Sequence, residues 1–120
     1  MDAETTQVLE QAERHRVNGE YDQAQPLYEG VVQATPDVAE AWWGLAHVLM
    51  NTGEFDAGLE CFQKACGLQP ENQRFLYDYA MMLTMLSMFD EARDLFNRCV
   101  SLNPESRVAM EARKQLSYLQ

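Results

Sequence analysis

The sequence has few of the residues that support disulfide frameworks or membrane spans. Only three cysteines occur among 120 residues, and an odd number cannot all pair within one chain, so we expect free thiols in a reducing compartment. No stretch approaches the roughly 18 consecutive apolar residues of a membrane-spanning helix. The first residues, Met1 to Glu4, lack the basic and then apolar order of a signal peptide. These absences predict a cytoplasmic protein without membrane contact.

Cations are also scarce, because nine Lys and Arg residues stand against nineteen Asp and Glu residues, for a net charge of −10. Residues 1–60 contain twelve acids and only Arg14 and Arg16, whereas residues 61–120 contain seven acids and seven bases. Binding to phosphate groups needs clustered cations, so the composition argues against nucleic acid and anionic lipid as ligands. A neutral or basic partner fits better, and solubility alone is the alternative role of this charge.

Motifs of catalysis and metal binding are missing as well. No phosphate-cradling glycine loop or nucleophile elbow occurs. Cys61 and Cys66 are five residues apart, without the close Cys or His pairing of zinc sites, and Cys66 and Cys99 are expected at core positions for small residues. His15 and His47 belong to different repeats and have no nucleophile between them. We therefore predict that the chain is not an enzyme and holds no metal or cofactor.

The sequence does contain a strong 34-residue period. Aromatic, small and proline residues recur together at this spacing: Tyr21, Phe55 and Phe89; Ala24, Gly58 and Ala92; Tyr28, Phe62 and Phe96; Pro36, Pro70 and Pro104. In the middle repeat, one helical face is marked by apolar residues at i, i+3, i+4 and i+7: Trp42, Leu45, Ala46 and Leu49. Gly53 then ends this first helix, and a second apolar stripe runs from Phe55 to the helix-stopping Pro70.

This middle unit resembles a tetratricopeptide repeat (TPR), and the resemblance covers about residues 5–106. It implies an all-α TPR solenoid in which about seven helices form helix-turn-helix pairs in a right-handed superhelix. We expect a single domain over residues 1–120, with repeats at about 5–38, 39–72 and 73–106 and a capping helix at 107–120. The expected helices are 4–17, 21–34, 38–51, 55–68, 72–85, 89–102 and 106–118.

Three residues depart from the pattern of the family. Gly58 replaces the usual alanine at the contact between two helices, which should cost up to ~1 kcal/mol of helix stability. Ser87 replaces the glycine of the third turn, so we expect it in a left-handed conformation that costs roughly 1–2 kcal/mol. Pro26 falls inside the second helix of the first repeat, where we expect a local bend.

The resemblance also implies that the first helix of each pair lines a concave groove. Residues about 100° round from the core face are expected to face this groove: Leu9, Glu13, Glu40, Trp43, His47, Met50, Asn51, Arg74, Tyr77, Met81 and Met85. The same stripe includes Thr6, Arg16, Val17 and Thr84. Trp, Tyr and Met are enriched in interface cores, so this stripe predicts a peptide-binding surface. The alternative is that several of these residues, the methionines first and then Trp43, fill gaps between neighbouring helices. Trp42, on the core face, is expected to be buried, and Trp43 is expected to be exposed to solvent.

TPR modules that hold the C-terminal tails of large chaperones resemble one another in a clamp of Lys, Asn and Arg side chains. The matching positions here are Leu9, Glu13, Gly44, Arg74 and Asp78, of which only Arg74 agrees with the clamp. A carboxylate-ended tail would meet two acidic side chains. We therefore exclude such a tail as the ligand.

These observations favour a protein-protein interaction module, an adaptor or a chaperone, that binds a neutral or basic polypeptide segment with apolar anchors. One alternative is a structural module that assembles into a homo-oligomeric scaffold. Another is a dedicated bacterial secretion chaperone, because those proteins are similar in being small, acidic, cytoplasmic and built on three TPR units.

Overall fold

The computed structural model describes all residues from 1 to 120 and contains seven α-helices and no β-strand. The helices are α1 (Ala3–Val17), α2 (Tyr21–Ala34), α3 (Ala39–Asn51), α4 (Phe55–Leu68), α5 (Gln73–Met85), α6 (Phe89–Leu102) and α7 (Arg107–Tyr118). Each predicted helix boundary agrees within one residue. None of these helices has the length and apolar character that crossing a bilayer requires.

Polar side chains cap the start of three helices. The carboxylate of Asp2 accepts a hydrogen bond from the Thr5 amide at 2.7 Å, and this bond lowers the pKa of Asp2. Asn72 caps α5 and Ser106 caps α7 in the same way. Such caps satisfy backbone amides that have no partner within the helix, and they fix where these helices begin.

The two helices of each repeat are joined by the same tight turn. In all three turns an amide donates to the carbonyl five residues earlier, at 2.8–2.9 Å: Glu20 to His15, Glu54 to Leu49 and Met88 to Leu83. This hydrogen bond defines a Schellman motif, which needs a left-handed residue just before the donor. Gly19, Gly53 and Ser87 fill that position with φ angles of 77°, 87° and 62°. The left-handed conformation predicted for Ser87 is therefore confirmed.

The chain forms two compact units, Met1–Leu68 (unit 1, helices α1–α4) and Gln69–Gln120 (unit 2, helices α5–α7). In unit 1, the backbone of α3 approaches the side chain of Tyr28 from α2 so closely that a Cβ added at Gly44 would lie 2.3 Å from the phenol ring. Only glycine fits at this contact. Phe62 of α4 is completely buried in the same unit.

Trp42 corrects one sequence prediction, because it is half-buried rather than buried. Its indole Nε1 donates to the carbonyl of Pro36 at 2.8 Å, and the Nζ of Lys64 lies 5.8 Å from the ring centroid. An indole needs a partner for its N–H, and the partner here is an exposed carbonyl in the connection before α3. This bond holds one edge of the ring at the surface.

In unit 2, side chains bind the carbonyl groups at the ends of helices. The amide of Gln73 on α5 donates to the carbonyls of Cys99 and Asn103, at 2.8 and 3.1 Å. A guanidinium nitrogen of Arg93 on α6 donates to the carbonyl of Leu119 at 2.7 Å. These bonds satisfy helix C-termini and tie α5 to α6 and α6 to the end of α7.

Candidate functional site

The predicted groove residues of unit 1 lie on α1 and α3, and they differ in exposure. Glu13, Glu40 and Asn51 are exposed, and Trp43 and His47 are half-buried. The expectation that Leu9 and Met50 face solvent was wrong, since they are only 8% and 6% exposed. Helix α1 packs on both α2 and α3, which covers more of its surface than a single partner would. The sulfur of Met50 occupies the space beside Gly58, 2.8 Å from where a Cβ would lie.

Trp43 is held between two charged or titratable side chains. The guanidinium carbon of Arg16, on α1, lies 4.7 Å from the centroid of the Trp43 ring. On α3, the His47 ring meets Trp43 edge to face at 4.7 Å and meets the buried Phe62 in the same manner at 5.2 Å. Arg16, Trp43 and His47 therefore form one stack on the core residue Phe62, which we name the Trp43 stack.

Tyr28 fixes the position of Arg16 within the Trp43 stack. The Nε of Arg16 donates to the Tyr28 hydroxyl at 3.2 Å, and Nη2 lies 3.8 Å from a carboxylate oxygen of Glu13. The Arg16 side chain is only 16% exposed, whereas that of Glu13 is 63% exposed. Burial raises the pKa of the Tyr28 phenol, while the hydrogen bond to Arg16 acts in the opposite direction. The phenol stays protonated at neutral pH and packs against α3 through the gap at Gly44.

The charge that this part of unit 1 offers to a ligand is negative. The guanidinium of Arg16 already contacts a ring, a hydroxyl and a carboxylate, and Glu13 and Glu40 are the exposed charges nearby. Asn51 uses its amide to donate to the carbonyl of His47 at 2.7 Å, within its own helix. The surface consequently combines a half-exposed indole with an acidic rim.

The predicted groove residues of unit 2 lie on α5, around Tyr77. Its ring meets the buried Phe96 edge to face at 5.7 Å, and the Arg74 guanidinium lies 5.9 Å from its centroid. Arg74 also pairs with Asp78 at 3.6 Å, and the Asp78 side chain is nearly buried. Further along α5 toward its C-terminus, Met81 is half-buried and Met85 is 66% exposed.

Two side chains of helix α7 interact with the hydroxyl of Tyr77. Burial raises the pKa of this phenol, the carboxylate of Glu111 raises it further, and the nearby Gln115 side chain acts in the opposite direction. Both of these neighbours belong to α7. Tyr77 therefore contributes to the attachment of α7 as well as to the surface of α5.

Sequence reasoning missed Tyr28 as part of this site. Its recurrence with Phe62 and Phe96 places it in the core stripe, and it is indeed 3% exposed. Its hydroxyl, which the two phenylalanines lack, is what reaches Arg16. The available signal was Gly44, a glycine in the interior of a helix, since such a residue often marks a close approach.

All three cysteines are free thiols, and two of them are buried. No group of three or more His, Cys, Asp or Glu side chains is placed to hold a metal ion. Burial raises the pKa of Cys61 to about 11 and also raises that of Cys99, so both thiols are protonated at neutral pH. Cys66, which was expected in the core, is half-buried instead.

Comparisons with known proteins agree with this architecture. One tetratricopeptide repeat model matches residues 18–65 and another matches residues 45–107. The chain is 25% identical over 99 residues to anaphase-promoting complex subunit 3 of Schizosaccharomyces pombe. This match covers 82% of this chain and 15% of that protein. The chain spans between 9% and 15% of the length of three curated relatives that it matches.

Two solved structures have a similar fold. The Yersinia enterocolitica type III secretion chaperone SycD, in complex with a peptide of the translocator YopD, gives a TM-score of 0.86 at 15% identity, over 99% of this chain and 91% of that chain. The first TPR of Spaghetti (RPAP3), bound to the HSP90 peptide SRMEEVD, gives 0.84 at 20% identity, over 99% and 96%. One repeat model alone covers more than half of the sequence, and with seven helices in 34-residue register this chain belongs to the tetratricopeptide repeat family.

Proposed function

We propose that this protein is a peptide-binding adaptor or chaperone, and that the Trp43 stack is its main anchor for the ligand. The observation that carries the proposal is the fixed position of Trp43, whose indole is held by Arg16 and His47 yet stays half-exposed. A side chain that is already ordered loses little conformational freedom on binding. Tryptophan at the centre of an interface is also a frequent hot spot.

The ligand that suits this surface is an extended or helical segment with an apolar anchor and a neutral or basic flank. The anchor would contact Trp43, and a Lys or Arg in the segment would face Glu13 and Glu40. Ligands that end in a carboxylate fit poorly. Arg74 is already paired with Asp78, and Leu9, at another position of the clamp, is a buried apolar residue. The peptide SRMEEVD in the Spaghetti structure has three acidic residues and would meet like charge here.

The two solved structures of similar fold each contain a bound peptide, which supports the proposal that this chain binds a peptide. A role without catalysis, and a cytoplasmic location, are part of the same proposal. On unit 2, the exposed Met85 and the half-buried Tyr77 and Met81 offer a second apolar surface. Met side chains adapt to varied partners, so we assign this surface a weaker and less selective contact.

A binding experiment with two adjacent tryptophans tests the proposal. Peptides selected from a random library on the wild-type protein should be enriched in apolar residues next to Lys or Arg. Trp43→Ala should weaken their binding by 2 kcal/mol or more, about thirtyfold. Trp42→Ala is the matched control, since Trp42 binds Pro36 and lies outside the stack. Isothermal titration calorimetry that finds unchanged affinity for Trp43→Ala, or a preference for acidic C-termini, would contradict the proposal.

A second candidate is the secretion-chaperone function. It is favoured by the likeness to SycD over 99% of this chain, and it is a special case of peptide binding. The expected result is that the chain keeps a secreted, aggregation-prone protein of the same cell soluble on co-expression. A failure of Trp43→Ala to reduce that solubility would assign the effect to another surface.

A further inference from the structure

Helix α7 has an outward face that the proposed function does not use. It is the only helix with a net positive charge, +2, because Arg107, Arg113 and Lys114 outnumber Glu111. Its inner face buries Ala109 and Ala112 completely. Its outer face carries a stripe at i, i+3, i+7 and i+11: Arg107, Met110, Lys114 and Tyr118. Met110 is 58% exposed and Tyr118 67% exposed, so two large apolar side chains alternate with two cations in solvent.

A groove of complementary chemistry lies on unit 1 between α1 and α2. It has a volume of about 390 Å³, an acidic end at Asp2 and Glu4, and a lining of mixed apolar and hydroxyl side chains: Val8, Pro26, Leu27, Val31, Thr5 and Thr35. A Cβ added at Gly30 would meet no atom within 4 Å, so the lining is open there. Helix α2 itself contains Asp22 and Glu29 and no basic residue. An occupant of this groove needs apolar side chains together with positive charge.

We propose that the occupant is a second copy of this chain, with the outer stripe of α7 from one copy lying in the α1–α2 groove of the next. Charge complementarity selects α7, because every other helix of the chain is neutral or negative. The exposed Met110 and Tyr118 provide the apolar contact, and Arg107 and Lys114 face Asp2 and Glu4. None of these residues belongs to the Trp43 stack, so the contact leaves the proposed peptide site unused.

The two surfaces in this contact are different, so the association is heterologous. Each copy that joins presents a further free groove and a further free α7, and such contacts extend into open chains unless the rotation closes a ring. The attraction between exposed charges also falls as salt screens it. The contact therefore predicts assemblies larger than a dimer at low salt.

Charge reversal on each side tests the contact. The α7 variant is Arg107→Glu with Lys114→Glu, and the groove variant is Glu4→Lys with Gly30→Lys, which leaves the cap residue Asp2 intact. Each variant alone should associate with an affinity at least about tenfold lower than that of the wild type. The reason is that like charges then face each other across the contact. An equimolar mixture should regain association, since every junction then pairs opposite charges again.

Sedimentation velocity over a range of concentrations provides the measurement. The wild-type average mass should rise with concentration beyond twice 13.8 kDa, and it should fall in about 1 M salt, where the Debye length is roughly 3 Å. Gly30→Trp should block association by filling the groove, whereas Gly67→Trp, at an equally open glycine on α4, should not. Circular dichroism checks that every variant is folded.

Three results would overturn the proposal. One is a wild-type chain that stays at 13.8 kDa up to about 1 mM, which would leave an association free energy weaker than about −4 kcal/mol. The second is association that stops at a closed dimer. The third is association that neither charge variant weakens, or a mixture that remains as dissociated as its components. The peptide-binding test with Trp43→Ala is independent of each of these outcomes.

Discussion

Trp43 in unit 1 and Tyr77 in unit 2 occupy equivalent positions, 34 residues apart, and comparing them shows what repetition fixes. Each aromatic ring is supported by a buried phenylalanine of the following helix, Phe62 or Phe96. Tyr77 contacts Phe96 edge to face, and in unit 1 the ring of His47 contacts both Trp43 and Phe62. The repeat therefore sets the depth of the ring relative to the core.

The partners on the outer side of the two rings come from different directions along the chain. Trp43 is covered by Arg16 from α1, the first helix of the preceding repeat. Tyr77 interacts with Gln115 and Glu111 from α7, the helix that follows its repeat. Equivalent positions thus tie different elements to the fold, and this difference separates a candidate ligand anchor from an attachment point for α7.

The largest expected effects concern the shared support of both rings. Phe62→Ala and Phe96→Ala should each destabilise the protein by about 3–5 kcal/mol, because both side chains are completely buried. Denaturant unfolding measures the change in free energy. Phe55→Ala and Phe89→Ala are the matched controls, since these phenylalanines are exposed and should change stability by less than about 1 kcal/mol. A small effect at only one of the buried positions would end the equivalence of the two supports.

The next effect tests how tightly Tyr28 packs against the backbone of α3 in unit 1. Gly44→Ala should cost about 1–3 kcal/mol, because the new methyl group would overlap the buried Tyr28 ring. Gly58→Ala should stay within about 1 kcal/mol of wild type, since the flexible end of Met50 can move aside and alanine favours a helix. Thermal melts compare the two variants. Equal melting temperatures would show that Tyr28 yields as easily as Met50.

Hydrogen exchange can separate the elements to which the two rings are tied. Trp43→Ala removes a cation–π contact worth about 0.5–2 kcal/mol, so amides of α1 should exchange faster. Tyr77→Phe removes the hydroxyl that interacts with Gln115 of α7, an interaction worth at most about 1.5 kcal/mol, so the increase should appear in α7. Mass spectrometry of deuterated peptides gives the location. The same pattern of exchange in both variants would refute the distinction between the rings.

A smaller effect distinguishes the turn of unit 2 from the turns of unit 1. Ser87→Gly should stabilise the protein by about 1 kcal/mol, because it relieves a left-handed side chain with a φ of 62°. Gly53→Ser should destabilise it by a similar amount. Chemical denaturation of both variants provides the test, and a loss of stability in Ser87→Gly would show that the serine side chain compensates for its backbone.

The smallest effect concerns the thiols and appears only in alkaline solution. The folded pKa of Cys61 is raised by burial to about 11, above its ordinary value of 9.0. The stabilisation from keeping this thiol protonated is complete below pH 9 and is lost as the pH rises from 9 through 11. At pH 8 only about one Cys61 in a thousand is ionised, so alkylation should be slow compared with the half-buried Cys66. Peptide mass spectrometry after iodoacetamide treatment would show equal rates if Cys61 were accessible.

The helices could be predicted closely because their ends depend on local chemistry. Gly19 and Gly53 allow the left-handed turn, and the prolines at 36, 70 and 104 stop the second helices. These signals act over a few residues and are visible in the sequence. The 34-residue period then transfers each assignment from one repeat to the next, which explains the agreement at Ser87.

The exposure of the candidate site was harder to predict, because it depends on contacts between helices. A 100° step separates Trp42 from Trp43, yet both are half-buried, since one indole bonds to Pro36 and the other lies under Arg16. Met50 was assigned to the groove and instead packs beside Gly58. The position of a residue around a helix does not reveal how far a neighbouring side chain extends, and that distance decides which residues a ligand can touch.

The Schellman turns also determine where the chain can accept foreign sequence. Each turn within a pair holds one residue in the left-handed region and commits its amides to fixed carbonyls. An epitope or label inserted at residues 18–20, 52–54 or 86–88 would therefore disrupt the left-handed conformation and these hydrogen bonds. The exposed Pro36 and Asp37 connect two helices without such a motif, and an insertion after Asp37 leaves the Pro36 carbonyl, which accepts the Trp42 indole N–H, in place. Insertion tolerance follows the hydrogen bonding of the affected backbone, which makes this connection the better place for a fluorescent reporter.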